Sequence, residues 1–279
     1  LPANIFYLID ENPIFYLNIS MVKVCVGTSG YSYADWVGPF YPRGMQSADY
    51  LAFYSKEFDF VELNFSYYRQ PDAYILQKMC KKTPSGFLFT IKAHKSITHE
   101  AGDDLDKNVD IYKKGITPLA EAQKLGVVLL QFPYSFHYNP QNRKHLDSVC
   151  IGLRDFPLTV EFRNKAWHNE RVFTALQERG IGYVNPDMPD LPGLLPVSQV
   201  VTANTAYIRF HGRNKKMWWK GDNISRYDYL YSDEELEEWL DRVKKMLEKT
   251  KILFIAFNNH SRGQAVSNAR AMKRLLQQW

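Results

Sequence analysis

The stretch LTVEFR, residues 158–163, alternates two apolar side chains with two charged ones. In an extended strand, positions two apart share a face. Val160 and Phe162 therefore fall on one side, and Glu161 and Arg163 on the other. A closed parallel barrel suits such a strand, because one of its faces packs on helices while the other looks into the barrel. Seven further runs rich in Val, Ile, Leu and Phe flank this one, at residues 22–27, 58–64, 87–92, 127–132, 181–185, 206–211 and 252–258. Nearly all end in polar residues on the C-terminal side. Eight such runs, separated in most cases by helix signals, predict an α/β fold: a single (β/α)8 TIM barrel with its site on the C-terminal rim. Irregularity is expected around the sixth strand, where residues 188–203 are rich in Pro and Leu and read as a loop.

Helix punctuation supports the alternation. Ser47 is placed to cap a helix reaching about Phe58, and Pro71 to open one carrying Ile75, Leu76 and Met79. Thr117 and Pro118 begin a short amphipathic stretch that Gly126 closes, and residues 169–179 end at Gly180. Ser232 with Glu235 forms a capping box ahead of Leu236, Trp239, Leu240, Val243 and Leu247, and a last helix is expected over about 263–278. The chain has 279 residues, and one barrel takes about 250, so residues 21–279 are read as a single domain. Residues 1–20 carry no Lys or Arg and directly precede Met21. They are expected to be a non-native extension ahead of a natural start at Met21.

Bulk properties narrow the class. Apolar content of 45% with 23% charged residues fits an ordinary globular chain. Cys25, Cys80 and Cys150 are scattered, without a CxxC pair, so a reducing cytoplasm is the expected compartment. No run approaches the roughly 18 apolar residues of a membrane span, and no membrane partner is expected. Formal net charge is +5, or +7 without residues 1–20, which hold two acids, Asp10 and Glu11, and no bases. That balance accommodates an anionic partner without demanding nucleic acid. Neither a GxSxG elbow, a Walker loop nor a dinucleotide fingerprint is present, and the sequence names no cofactor.

Strand parity then selects the site. Glu62 pairs with Asn64, Thr90 with Lys92, Arg209 with His211 and Arg213, and Asn258 with His260, while Gln131 ends the fourth run. Lys92, Arg163, Arg209 and Arg213 would bring four cations to one mouth, which calls for an anionic ligand or for neutralisation by Glu62 and Glu161. Barrel enzymes often hold phosphate with the loops after strands seven and eight. Here those loops, HGRNKKMWWKG and NNHSRGQA, offer Arg213, Lys215, Lys216 and a glycine at a helix start. Glu161 and His211 are the candidate acid and base, with His211 expected to titrate near neutrality. Glu62, Asn64, Gln131 and Asn258 would orient the ligand. The rings of Tyr31, Tyr33, Trp36, Trp218 and Trp219 lie in loop-like sequence, as lids or as groove lining. Glu161, Asp187 and His211 also follow consecutive strands, the order in which some barrel isomerases hold a divalent ion. Asn258 stands where a fourth carboxylate is wanted, and Arg163 and Arg209 would repel a cation, so no metal ligands are assigned. His94 and His99 match no zinc spacing, and His99 is expected to fix a loop.

Seven stretches carry a resemblance: GTSGYSYADWVGPFYP (27–42), VELNFSYYRQP (61–71), KAHKSITH (92–99), LLQFPYSF (129–136), VEFRNKAW (160–167), YIRFHGR (207–213) and FNNHSRGQAVSNA (257–269). In this order they resemble the YecE-like family, domain of unknown function number seventy-two, from Val22 onward. The resemblance implies a TIM barrel and no settled reaction. The expected function is binding of a phosphorylated or otherwise anionic small substrate, with phosphoester hydrolysis as the reaction. A non-catalytic nucleic-acid-binding protein and a metal-dependent sugar isomerase or epimerase are the alternatives.

Overall fold

The computed structural model describes residues 22–100, 102 and 104–278. The proposed extension and start at Met21 lie outside them. Eight parallel strands close into a barrel in sequence order: β1 Lys23–Ser29, β2 Phe60–Leu63, β3 Leu88–Lys92, β4 Leu125–Gln131, β5 Leu158–Glu161, β6 Gly182–Asp187, β7 Thr205–Phe210 and β8 Ile252–Phe257. Each falls on one of the eight apolar runs, and helices alternate with them as expected of a (β/α)8 barrel.

Two layers of apolar side chains follow from strand parity. Inside the barrel, Cys25, Phe60, Val127, Leu129, Val184, Tyr207, Phe254 and Ala256 form a separate buried cluster. Their neighbours in sequence, such as Val61, Val128, Ile208 and Ile255, belong to the larger core under the helices. The interior is tight enough that β1 needs a glycine. A Cβ on Gly27 would lie 2.1 Å from the Phe60 carbonyl oxygen. Above the apolar plug the inward positions turn polar, and that change of side-chain type creates the site.

The sixth strand is irregular in a definable way. It pairs with β5 at two positions, Thr159 with Gly182 and Val160 with Tyr183, and with β7 at four. The following loop is pinned to the outer face of β6: the Asn185 side chain accepts from Ser198 Oγ and Val200 N and donates to Val200 O, while Tyr183 N donates to Thr202 Oγ1.

Two helix expectations change. Pro118 does not begin a helix but lies inside Leu105–Glu121, whose Val109, Tyr112, Ile116 and Leu119 form its buried face. A proline near the C-terminal end of a helix costs one backbone bond while leaving most of the ladder whole. Gly126 lies in β4 and closes nothing. Ser47 opens a 3-10 turn, Ser47–Asp49, ahead of a short helix Tyr50–Tyr54. The capping box at Ser232 and Glu235 forms as read, with each side chain bonded to the other's backbone.

Candidate functional site

The C-terminal ends of the strands surround a cavity of about 440 Å³, a size that suits a small organic ligand. Its floor is built around Arg209 on β7. The guanidinium is buried between two buried glutamates, with Nε and Nη2 on Glu62 at 2.8 and 2.5 Å and Nη1 on Glu161. Glu62 also accepts from the Tyr207 hydroxyl at 2.6 Å and from Ser29 Oγ. Ser29 Oγ in turn accepts from Arg209 Nη2 and from Asn64 Nδ2. Parity explains the convergence: Ser29, Glu62, Glu161 and Arg209 all occupy inward positions one layer above the apolar plug.

Glu161 sits at the centre of a second set of contacts. It accepts from Arg163 Nε at 2.8 Å and from His211 Nε2 at 3.1 Å. Burial pulls this carboxyl up, but Arg163, Arg209 and His211 outweigh burial and hold it well below the usual carboxylate range. The His211 ring is fully buried, and its other nitrogen, Nδ1, accepts from Asn258 Nδ2 at 3.0 Å. An amide donor on Nδ1 and a carboxylate on Nε2 define a neutral imidazole carrying its proton on Nε2. Burial, with Arg163 and Arg209 nearby, pushes the ring down to about 3. The near-neutral titration expected of His211 is therefore corrected: a rim position on β7 does not give solvent access once Asn258 and Tyr227 cover the ring.

The wall differs from the floor. Lys92, Arg163, Arg209 and Arg226 all line the cavity, and among the described residues no Asp or Glu does. Lys92 Nζ lies 4.1 Å from the centre of the Tyr67 ring. Burial, then the neighbouring Arg209 and Arg163, bring its ammonium down to about 7 against the opposing pull of Glu161 and Glu62. Arg226, the last residue of the short helix Asn223–Arg226 in the long connection after β7, has a buried Nε with no hydrogen-bond partner. Rings complete the wall: Tyr33, Tyr67, Tyr68, Tyr134, Trp218, Trp219 and Tyr227. His99 also lines it, bonded to Thr98 Oγ1, and burial together with Lys92 and Arg163 takes it down to about 4.

Of the site residues read from sequence, Asn64, Lys92, Gln131, Arg163, Arg209 and Asn258 line the cavity, while Glu62, Glu161 and His211 lie directly under it. Arg213 is the exception and is corrected. Parity needs extended backbone, and Gly212 breaks it with a φ of 87°. Arg213 turns instead to Asp187, whose carboxylate also accepts from the Tyr231 hydroxyl and Trp239 Nε1. Asp187 therefore shares no partner with Glu161 and His211. The three do not converge as the divalent-metal reading required, and no cluster of three or more His, Cys, Asp or Glu side chains suited to a metal occurs among the described residues. Parity itself carried this signal, since Val184 faces inward and Asp187, three residues on, faces out. Lys215 and Lys216 are exposed and off the cavity. The helix start after β8 is covered by the β1 loop, with Arg262 N on Asp35 and Trp36 Nε1 on the His260 carbonyl. Tyr31 and Trp36 pack into the core, whereas Trp218 and Trp219 line the cavity.

Fold and site together define a (β/α)8 barrel whose mouth is cationic and aromatic. The chain belongs to the family described as protein of unknown function DUF72, whose model matches residues 25–279. It is 32% identical over 269 residues to the UPF0759 protein YunF of Bacillus subtilis (strain 168), covering 91% of this chain and 94% of that protein. Among solved structures, a DUF72 family protein from Thermotoga maritima MSB8 superposes with a TM-score of 0.83 at 39% identity, covering 91% of this chain and 99% of the other. One from Enterococcus faecalis V583 gives 0.82 at 26% identity, covering 91% and 95%. No helix of the described residues is long and apolar enough to cross a membrane.

Proposed function

We propose that the cavity binds a small phosphorylated or otherwise anionic organic ligand. The observation that carries this reading is the wall: four cationic side chains and no carboxylate among the described lining residues. The acids of the site are already matched beneath it, Glu62 and Glu161 to Arg209 and Arg163. What is left over is the full charge of Arg226 and the part charge of Lys92. A phosphate or carboxylate group would pair with the Arg226 guanidinium on the Arg163 side of the cavity, and charge-assisted bonds of this type are among the strongest available. The surrounding rings favour a ligand that also carries a planar or apolar part, such as a nucleotide, over bare phosphate.

In this reading Glu161 and His211 position Arg163 and Arg209. The phosphoester hydrolysis that used them as acid and base gains nothing from their surroundings, because both are buried and every polar atom is engaged. One observation favours a second reading, a single-stranded nucleic acid: Tyr68 and Trp219 stand 66% and 51% exposed at the mouth, where bases could stack on them. The test is a thermal-shift screen of phosphate, nucleotides, sugar phosphates and short single-stranded DNA, with binding constants for the hits. A shift with small phosphorylated ligands, reduced by Arg226→Ala, is expected. No shift with any of them at millimolar concentration would remove the reading, and a shift with DNA alone would replace it with the second.

A further inference from the structure

We propose that Lys92 is a nucleophilic amine that captures the carbonyl carbon of an anionic aldehyde or ketone bound in the cavity. This names a substrate class and a covalent step for the anion site, and so rests on the anion-binding reading.

The argument begins with what Lys92 lacks. Its Nζ takes part in no ion pair and no hydrogen bond among the described residues, although it lines a cavity rich in hydrogen-bonding groups. The nucleophiles of the floor are occupied or sealed off. Ser29 Oγ donates to Glu62 and accepts from Asn64 and Arg209, and the Tyr33 hydroxyl donates to the Ser29 carbonyl. Cys25 is deeper, inside the apolar plug, where burial pushes its thiol up to about 12. Lys92 is the one lysine among the described lining residues, and no side chain hydrogen-bonds its head group.

Its surroundings also favour the free base. A charged amine here is disfavoured first by burial and then by Arg209 and Arg163, with Glu161 and Glu62 acting in the opposite sense. The groups facing it are completed by His99, itself kept neutral, and by Tyr67 beneath. A substantial share of the amine is thus unprotonated near neutral pH, the condition that a nucleophilic lysine requires. A phosphate held by Arg163 and Arg226 would leave the carbonyl end of a three- or four-carbon ligand free to meet Nζ.

The step balances as a condensation. The Nζ lone pair forms a bond to the carbonyl carbon, and the carbonyl oxygen becomes a hydroxyl. It then leaves as water with the two hydrogens of the amine, giving an imine with no change in oxidation state. Once formed, a protonated imine would be stabilised by the ligand's own anionic group.

The experiment is borohydride trapping on the full chain with glyceraldehyde 3-phosphate, followed by mass mapping of the lysine-containing peptides. Unphosphorylated glyceraldehyde serves as control, and inorganic phosphate is tested separately by thermal shift. A reduced adduct on Lys92, about tenfold above the mean of the other lysines and lost with glyceraldehyde, is expected. Arg226→Ala should lower the phosphate shift and, with it, the labelling of Lys92. A phosphate shift without preferential labelling of Lys92 overturns the imine and leaves the anion site standing. Absence of both the shift and the adduct overturns the two together.

Discussion

Arg209 and Lys92 are both inward-facing cations at the C-terminal ends of barrel strands, but Arg209 meets two carboxylates and Lys92 meets none. The same neighbourhood that raises one charged form suppresses the other. Glu62 and Glu161 hold Arg209 firmly protonated, and the satisfied guanidinium then repels the ammonium of Lys92. A cation count at a strand end therefore says little by itself. What separates a structural cation from an available one is whether an acid on a neighbouring strand reaches it first.

The comparison can be broken by substitution, and the largest effect is expected at the floor. Glu62→Gln leaves two buried arginines, Arg209 and Arg163, to share Glu161 and should lower unfolding free energy by about 3 kcal/mol in a denaturant titration. A loss under about 1 kcal/mol would mean that Arg209 does not depend on the pair.

Next in size is the response to acid. The His211 ring titrates near 3 when folded, against 6.5 for a free imidazole, so the unfolded chain takes up the proton first. Its contribution to stability falls as pH drops from 6.5 towards 3. Glu161, held below its ordinary 4.5, loses its contribution as pH falls below that value. Both act in one direction, so the melting temperature should drop steadily below pH 6.5, and a His211→Asn variant should show a shallower slope above pH 4.5. An unchanged slope would place the proton elsewhere.

At the wall the expected effects are smaller, and one has the opposite sign. Arg226→Ala should weaken binding of a phosphorylated ligand roughly tenfold, about 1.4 kcal/mol, in calorimetry, with little change in melting temperature. Lys92→Met should stabilise the ligand-free protein at pH 7 by roughly 1 kcal/mol, because it removes a partly charged amine from a buried cationic site. Lys92 titrates near 7 when folded and 10.5 when free, so wild type recovers stability as pH rises between those values. The advantage of Lys92→Met should accordingly shrink over that window. An advantage that grows with pH would show that Lys92 is paired after all.

Much of this architecture was legible in the chain. The alternation in LTVEFR and its seven companions located every strand, because burial on two faces leaves a period-two record. The same record placed Glu62, Asn64, Lys92, Gln131, Glu161, Arg163, Arg209, His211 and Asn258 in or under one cavity. It failed where the backbone stops being extended. Arg213 lies beyond the turn at Gly212, and Arg226 ends a one-turn helix, Asn223–Arg226, in a long connection whose path no periodicity encodes. The reading of His211 failed for another reason. Exposure and hydrogen-bond partners decide a histidine's titration, and Asn258 on the adjacent strand is invisible to local sequence.

The hydrogen bonds of the floor also have a direction. An ionised Glu62 only accepts, so the Tyr207 hydroxyl must donate to it, and the Thr90 hydroxyl, 2.9 Å from Tyr207, must donate in turn. Glu161 only accepts as well, which sets His211 Nε2 as donor and Asn258 as the source of the bond on Nδ1. The donors named here all run towards the two carboxylates, so the floor is wired in a single sense.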